Sequence, residues 1–196
     1  GTVDVTQEFT ITVTNTNDNP TFTSTAVTSV NEDSVYTYTV TTSDVDVGNT
    51  VTLTGTTIPS WLSFNTTTGV LTGTPLNGDV GDHSIVITAS DGTVDVTQEF
   101  TITVTNTNDA PTFTSSAVTS VNEDSLYTYT VTTSDVDVGD SVTLTGTTIP
   151  SWLSFDTETG ILIGTPLNEH VGTHAVLITA SDGTVEVTQS FTITVT

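Results

Sequence analysis

The chain repeats itself with a period of 91 residues. Asn17 recurs as Asn108, Trp61 as Trp152 and Gly92 as Gly183, and residues 17–105 differ from residues 108–196 at 17 of 89 positions. A near-copy at this spacing is one folding unit used twice. The period is too long for a helical solenoid unit and suits a single β-sandwich. The local pattern agrees. Tyr36–Val40 (YTYTV), Thr50–Thr56 (TVTLTGT), His83–Ser90 (HSIVITAS) and Phe100–Thr105 (FTITVT) alternate apolar residues with Thr or Ser. Period two places one face on a core and the other in water. Thr, β-branched and polar, suits the outer face. Helical periodicity nowhere exceeds one turn, and Gly48, Gly69, Pro75 and Asp91–Gly92 punctuate each copy with turn signals. The fold expected is all-β: tandem Greek-key sandwiches of about seven strands each.

Residues 1–14, GTVDVTQEFTITVT, are identical to residues 92–105. They read as the last strand of a preceding repeat. The expected division is therefore 1–16 as that strand with its joint, 17–107 as the first full repeat and 108–196 as the second. Such a strand lies loose, pairs with a sheet edge or swaps with another copy.

There is no Lys and no Arg against 23 Asp plus Glu, a formal charge of −23. Charged residues make up only 12 % of the chain, so the imbalance comes from missing cations. No Lys or Arg salt bridge can form. Each carboxylate must be met by solvent, a His, backbone N–H groups or a bound cation. Nucleic acid is not expected as a partner and anionic membranes are poor ones, because nothing pairs with phosphate. No run approaches ~20 apolar residues, so direct membrane insertion by a helix is not expected. The first residues have neither the basic nor the apolar region of a signal peptide. Cys is absent.

Catalytic constellations are not visible. The His residues are His83, His170 and His174. A two-His metal site from His170 and His174 is conceivable in the second repeat, against the reading that they are loop side chains. No nucleophile, His and carboxylate combine at triad spacing, and small tandem sandwiches offer no cleft for paired carboxylates. No enzyme is expected. Trp61 and Trp152, in Ile58–Phe64 and Ile149–Phe155 (IPSWLSF), are either platforms for a sugar or a partner, or core plugs behind a Pro turn; scarcity of large residues favours the core. A glycan partner is possible but not indicated.

The acidic residues recur at fixed places. Each repeat carries Asn-Glu-Asp (31–33; 122–124), Asp-Val-Asp-Val-Gly (44–48; 135–139) and Ser-Asp-Gly (90–92; 181–183), and each joint carries Asn-Thr-Asn-Asp (15–18; 106–109). Hard divalent cations take six to eight oxygens from carboxylates, amides and backbone, and D-x-D in a turn aims two carboxylates alike. Pro20 and Pro111 hold the preceding residue extended. Two other readings stay open: these residues cap turns and strand ends, or the charge is adaptation to salt, which accounts for missing cations but not for the spacing.

Taken in order, N-E-D, D-V-D-V-G, T-x-T-G-[VI]-L, A-S-D-G-T and N-x-N-D-x-P-x-F resemble cadherin-type repeats. With IPSWLSF and GTPLN they look most like the dystroglycan-type cadherin-like repeats of large bacterial surface adhesins. The resemblance covers both repeats and the leading strand, and implies a cadherin/Ig-like sandwich with Ca²⁺ at each joint. At the second joint the implied ligands are Glu32, Asn106, Asn108, Asp109, Asp135, Asp137 and Asp182. At the first they are Asn15, Asn17, Asp18, Asp44, Asp46 and Asp91. The family's acidic-basic-acidic triplet is replaced here by Pro75–Asp79 or Pro166–His170, and its first linker Asp by Asn15 or Asn106, so one or two ions per joint are implied. The implied role is a calcium-rigidified stalk segment of a bacterial cell-surface or secreted adhesin, extracellular, whose partners are neighbouring repeats of the same chain. The alternative is a module that itself binds glycan or self-associates, homophilically or by strand swapping.

Overall fold

The computed structural model describes residues 1–196. The chain forms two compact units, Gly1–Thr105 and Asn106–Thr196. In the first, nine short strands follow one another: β1 (Thr21–Phe22), β2 (Ser29–Asn31), β3 (Tyr36–Thr39), β4 (Thr42–Ser43), β5 (Thr52–Thr57), β6 (Leu62–Asn65), β7 (Val70–Gly73), β8 (Gly81–Ser90) and β9 (Asp95–Thr105). One four-stranded sheet has the order β2-β9-β8-β5, a three-stranded sheet β3-β7-β6, and β1 pairs with β4. All pairings are antiparallel except β2 with β9, which is parallel. The second unit repeats this from β10 (Thr112–Phe113) through β11 (Ser120–Val121), β12 (Tyr127–Thr130), β13 (Thr133–Ser134), β14 (Thr143–Thr148), β15 (Leu153–Asp156), β16 (Ile161–Gly164) and β17 (Gly172–Ser181) to β18 (Glu186–Val195).

Nine strands form where about seven were expected, and one of the additional strands has a local reason. The run from Tyr36 to Ser43 changes partner midway: β3 pairs with β7 and β4 with β1. Between them the Val40 N–H leaves the ladder for the Gly69 carbonyl, so one alternating stretch becomes two strands in different sheets. Residues 1–20 form no strand, and Val3, Val5, Phe9, Ile11 and Val13 stand in solvent. The same sequence at 92–105 contains β9 because there it lies between β8 and β2. Strand formation here is decided by neighbours, not by propensity.

The period-two pattern translates directly into burial. Tyr36, Tyr38, Leu71, Ile85, Ile87 and Ile102 form the buried cluster of the first unit, and Tyr127, Tyr129, Leu162, Val176, Ile178 and Ile193 that of the second. Trp61 packs on this cluster, its ring edge-on to Tyr36 at 6.0 Å and to His83 at 5.7 Å. Trp152 does the same with Tyr127 and His174. Both indoles are therefore part of the core rather than free platforms. The Tyr hydroxyls are satisfied: Tyr38 bridges Ser24 and Gln98, at 2.7 and 2.8 Å, and Tyr36 donates to the Val27 carbonyl. Gly73 and Gly164 are required for close approach, since a Cβ at either would collide with the backbone carbonyl of Trp61 or Trp152.

Candidate metal centre

In each unit the acidic loops gather at the end where the last hairpin turns. In the first unit, Asp44 and Asp46 lie between β4 and β5, Asp91 in the turn from β8 to β9, and Asn15–Asp18 just before β1. Asp46 Oδ1 accepts from Asn15 Nδ2 at 2.8 Å and its Oδ2 accepts from the Asp18 N–H at 2.7 Å. Asp44 Oδ1 accepts from the Asp46 N–H, and Asp91 Oδ2 from Asn17 Nδ2 at 2.9 Å. The second unit repeats the pattern. Asp137 Oδ2 accepts from the Asp109 N–H at 2.7 Å, Asp135 Oδ1 from the Asp137 N–H, and Asp182 Oδ2 from Asn108 Nδ2 at 3.0 Å. Eleven of the thirteen residues singled out in the sequence thus belong to two hydrogen-bonded groups, which Asn17 and Asn108 complete by donating to the Asp18 and Asp109 carbonyls. Asn106 is exposed at the start of the second unit. Glu32 is buried at the far end of the first unit, where its N–H donates to Thr105, the last residue of β9 and the one before Asn106. Asp33, its neighbour in the motif, has a structural part: φ is 59°, a left-handed turn that Asp tolerates.

The Asp-Val-Asp-Val loops invert the usual rule of burial. Asp46 is 7 % exposed and Asp137 5 %, whereas Val47 and Val138 are fully in solvent. Turning a carboxylate inward costs several kcal/mol without a counter-charge, and leaving a Val out forgoes roughly 1.5–3 kcal/mol. Backbone N–H groups meet part of the demand. However, Asp44 Oδ2 and Asp135 Oδ2 are shielded from solvent and have no hydrogen-bond donor. So is Glu123 Oε2, at the counterpart of Glu32. The chain has no Lys or Arg to supply the missing charge.

Sequence reading passed over Asp140. Its carboxylate lies with those of Asp135 and Asp182, with ligand atoms within 4.8 Å of one another, close enough to share one ion. Its counterpart in the first unit is Asn49; the signal was one letter, DVDVGN becoming DVDVGD. Loss of hydration, then Asp137, Asp135 and Asp182, push the Asp140 carboxyl above its ordinary range. Asp182 and Asp91 move the other way. The N–H of Val185 and the amide of Asn108 hold Asp182 down, and the N–H of Val94 and the amide of Asn17 do the same for Asp91. These two stay ionised while Asp140 is crowded. All the gathered donors are oxygens, the set preferred by a hard divalent cation such as Ca²⁺ rather than by a thiolate- or imidazole-seeking metal. The residues therefore fit the expected ion.

The two His residues of the second unit do not make a comparable set. His170 Nδ1 accepts the Leu167 N–H, and His174 Nε2 faces the His170 carbonyl. Each ring has committed a nitrogen to the backbone.

The family model described as "Putative Ig domain" matches residues 19–105 and again 110–196. The chain belongs to this family of Ig-like domains. A curated relative, the "Serine-rich adhesin for platelets" of Staphylococcus aureus (strain MRSA252), is 34 % identical over 140 residues, 68 % of this chain and 10 % of that protein. This chain thus spans a small part of the relatives it matches. Among solved structures, PcdhgB3 EC1-4 superposes with a TM-score of 0.62 at 20 % identity, over 90 % of this chain and 49 % of that one. Human Protocadherin-24 EC1-2 gives 0.54 at 19 %, over 90 % and 98 %. Both likenesses concern the fold.

Proposed function

We propose that this Ig-like pair is a calcium-binding stalk segment of a bacterial surface adhesin, non-enzymatic and extracellular. The observation that carries the reading is the inverted loop: carboxylates packed inward, valines outward, in a chain without one cationic side chain. A bound divalent ion removes the cost of that arrangement. Asn15, Asn17, Asp18, Asp44, Asp46 and Asp91 hold it in the first unit; Asn108, Asp109, Asp135, Asp137 and Asp182 do so in the second, with Asn106 and Glu32 added by the cadherin-like pattern of the sequence. Because Asn106–Asp109 directly follow β9, an ion held there restrains the backbone where one unit passes into the next. The match to a staphylococcal adhesin supports placing the segment on a cell surface, where a restrained link lets repeats carry a distant binding domain.

Thermal melting in EDTA and in millimolar calcium, at matched ionic strength, tests this. Calcium at 100 times its dissociation constant stabilises by about 2.7 kcal/mol per site, a rise of roughly 10–20 °C for a unit of this size. Titration calorimetry should give at least one ion per unit. Superimposable melting curves and no heat of binding would defeat the reading, and matched salt separates binding from screening.

A further inference from the structure

We propose that Asp140 is a ligand found only in the second unit, and that it makes the two units load with calcium in order, the second first. The inference rests on the calcium reading above and extends it to a difference between the two sites. The units differ at few positions, and almost all joint-side residues are the same in both: Asn17 and Asn108, Asp18 and Asp109, Asp44 and Asp135, Asp46 and Asp137, Asp91 and Asp182. Within the Asp-Val-Asp-Val-Gly loop and the residue after it, Asn49 against Asp140 is the one change. In the first unit that side chain is an amide whose Nδ2 reaches toward Asn17 Oδ1 at 3.5 Å. In the second it is a carboxylate within ion-sharing distance of Asp135 and Asp182. The backbone is the same at both places, since the Asn49 and Asp140 N–H groups each donate 3.3 Å to the carbonyl of Asp46 or Asp137. At this position the two side chains are close in shape and differ in charge.

Clustered carboxylates are common on surfaces, and two separate observations give this group its meaning. Asp135 Oδ2 is closed off from water and has no donor, so the group contains an oxygen that no protein hydrogen satisfies. Asp137, behind it, is almost wholly buried in a loop whose valines face out. Adding a fourth acid to such a group raises its repulsion when empty and its attraction for a divalent ion when filled. Ligand charge count is a main determinant of calcium affinity at otherwise similar sites. About a tenfold difference in dissociation constant is expected between the units. Ordered loading means that calcium in an intermediate range fills the second unit and leaves the first empty.

The test is calcium titration of the 196-residue chain by calorimetry, with Asp140→Asn and Asn49→Asp. Both positions are exposed, so neither change threatens the fold, and circular dichroism checks this. The chain itself should show two classes of site about tenfold apart. Asp140→Asn should weaken the tighter class by about tenfold, and Asn49→Asp should tighten the weaker one. If calcium binds but Asp140→Asn leaves both affinities unchanged, the inference is overturned and the calcium reading stands. If none of the three proteins binds calcium, the reading itself has failed.

Discussion

Leu162→Ala separates the two units thermally. Leu162 is fully buried, on β16 between Tyr129 of β12 and Phe155 of β15. Truncation removes three carbons from the centre of the three-stranded sheet's inner face. The neighbours are rings and β-branched side chains held by their own strands, and Tyr129 is pinned by hydrogen bonds to Ser115 and Gln189 at 2.8 Å each, so the site relaxes little. Substitutions of this kind cost about 2–5 kcal/mol, increasing with the cavity left; with little collapse, ~3–4 kcal/mol is expected. At about 4–8 °C per kcal/mol for a domain of this size, the second unit should melt roughly 12–30 °C lower. The first unit has its own buried cluster around Leu71 and should be untouched. Calorimetry should then resolve two endotherms, one displaced and one at the parent temperature, and Leu71→Ala should exchange their assignment. A single endotherm that moves as a whole, or a shift of only a degree or two, would refute the claim that each unit stands on a separate core.

Two further outcomes are expected. Burial, with a smaller effect of Tyr129, pushes the Tyr127 hydroxyl up to about 12, while an unfolded Tyr ionises near ~10; a raised folded value means stability is intact below pH ~10 and declines as pH climbs toward 12. Urea midpoints across that range should fall less for Tyr127→Phe than for the parent, and parallel curves would contradict the assignment. Gly164→Ala places a Cβ against the Trp152 carbonyl, a backbone atom that cannot yield, so the variant should lose several degrees of melting temperature, where an equivalent change at exposed Gly78, with open space around it and no positive φ, should lose much less of it.

Most of the fold was legible because alternation of Thr with apolar residues is a direct record of which side faces the core. YTYT, SIVITAS and FTITVT gave β3, β8 and β9 with small errors at their ends, the ladder continuing two residues before His83 and five before Phe100. What was not legible depends on partners. Nothing in YTYTVTTS says that the strand changes sheets at Val40, and nothing in residues 1–14 distinguishes them from 92–105. The candidate centre was legible where residues repeat, and missed where they do not. Asp140 is one of the 17 positions at which the second copy departs from the first, so a reading built on shared motifs had no reason to weigh it. Glu123 was seen as part of a motif, but only packing shows that one of its oxygens is sealed off.

The parallel pairing of β2 with β9, repeated as β11 with β18, has a mechanical consequence. The strand near the start of each unit runs beside the strand that ends it, in the same direction. Tension applied through the two ends slides these strands past each other, so the bonds joining Ser29–Glu32 to Thr103–Thr105 share the load and must fail together. An antiparallel hairpin pulled from its open end would instead unzip one bond at a time. Each unit is therefore clipped shut along the line of pull.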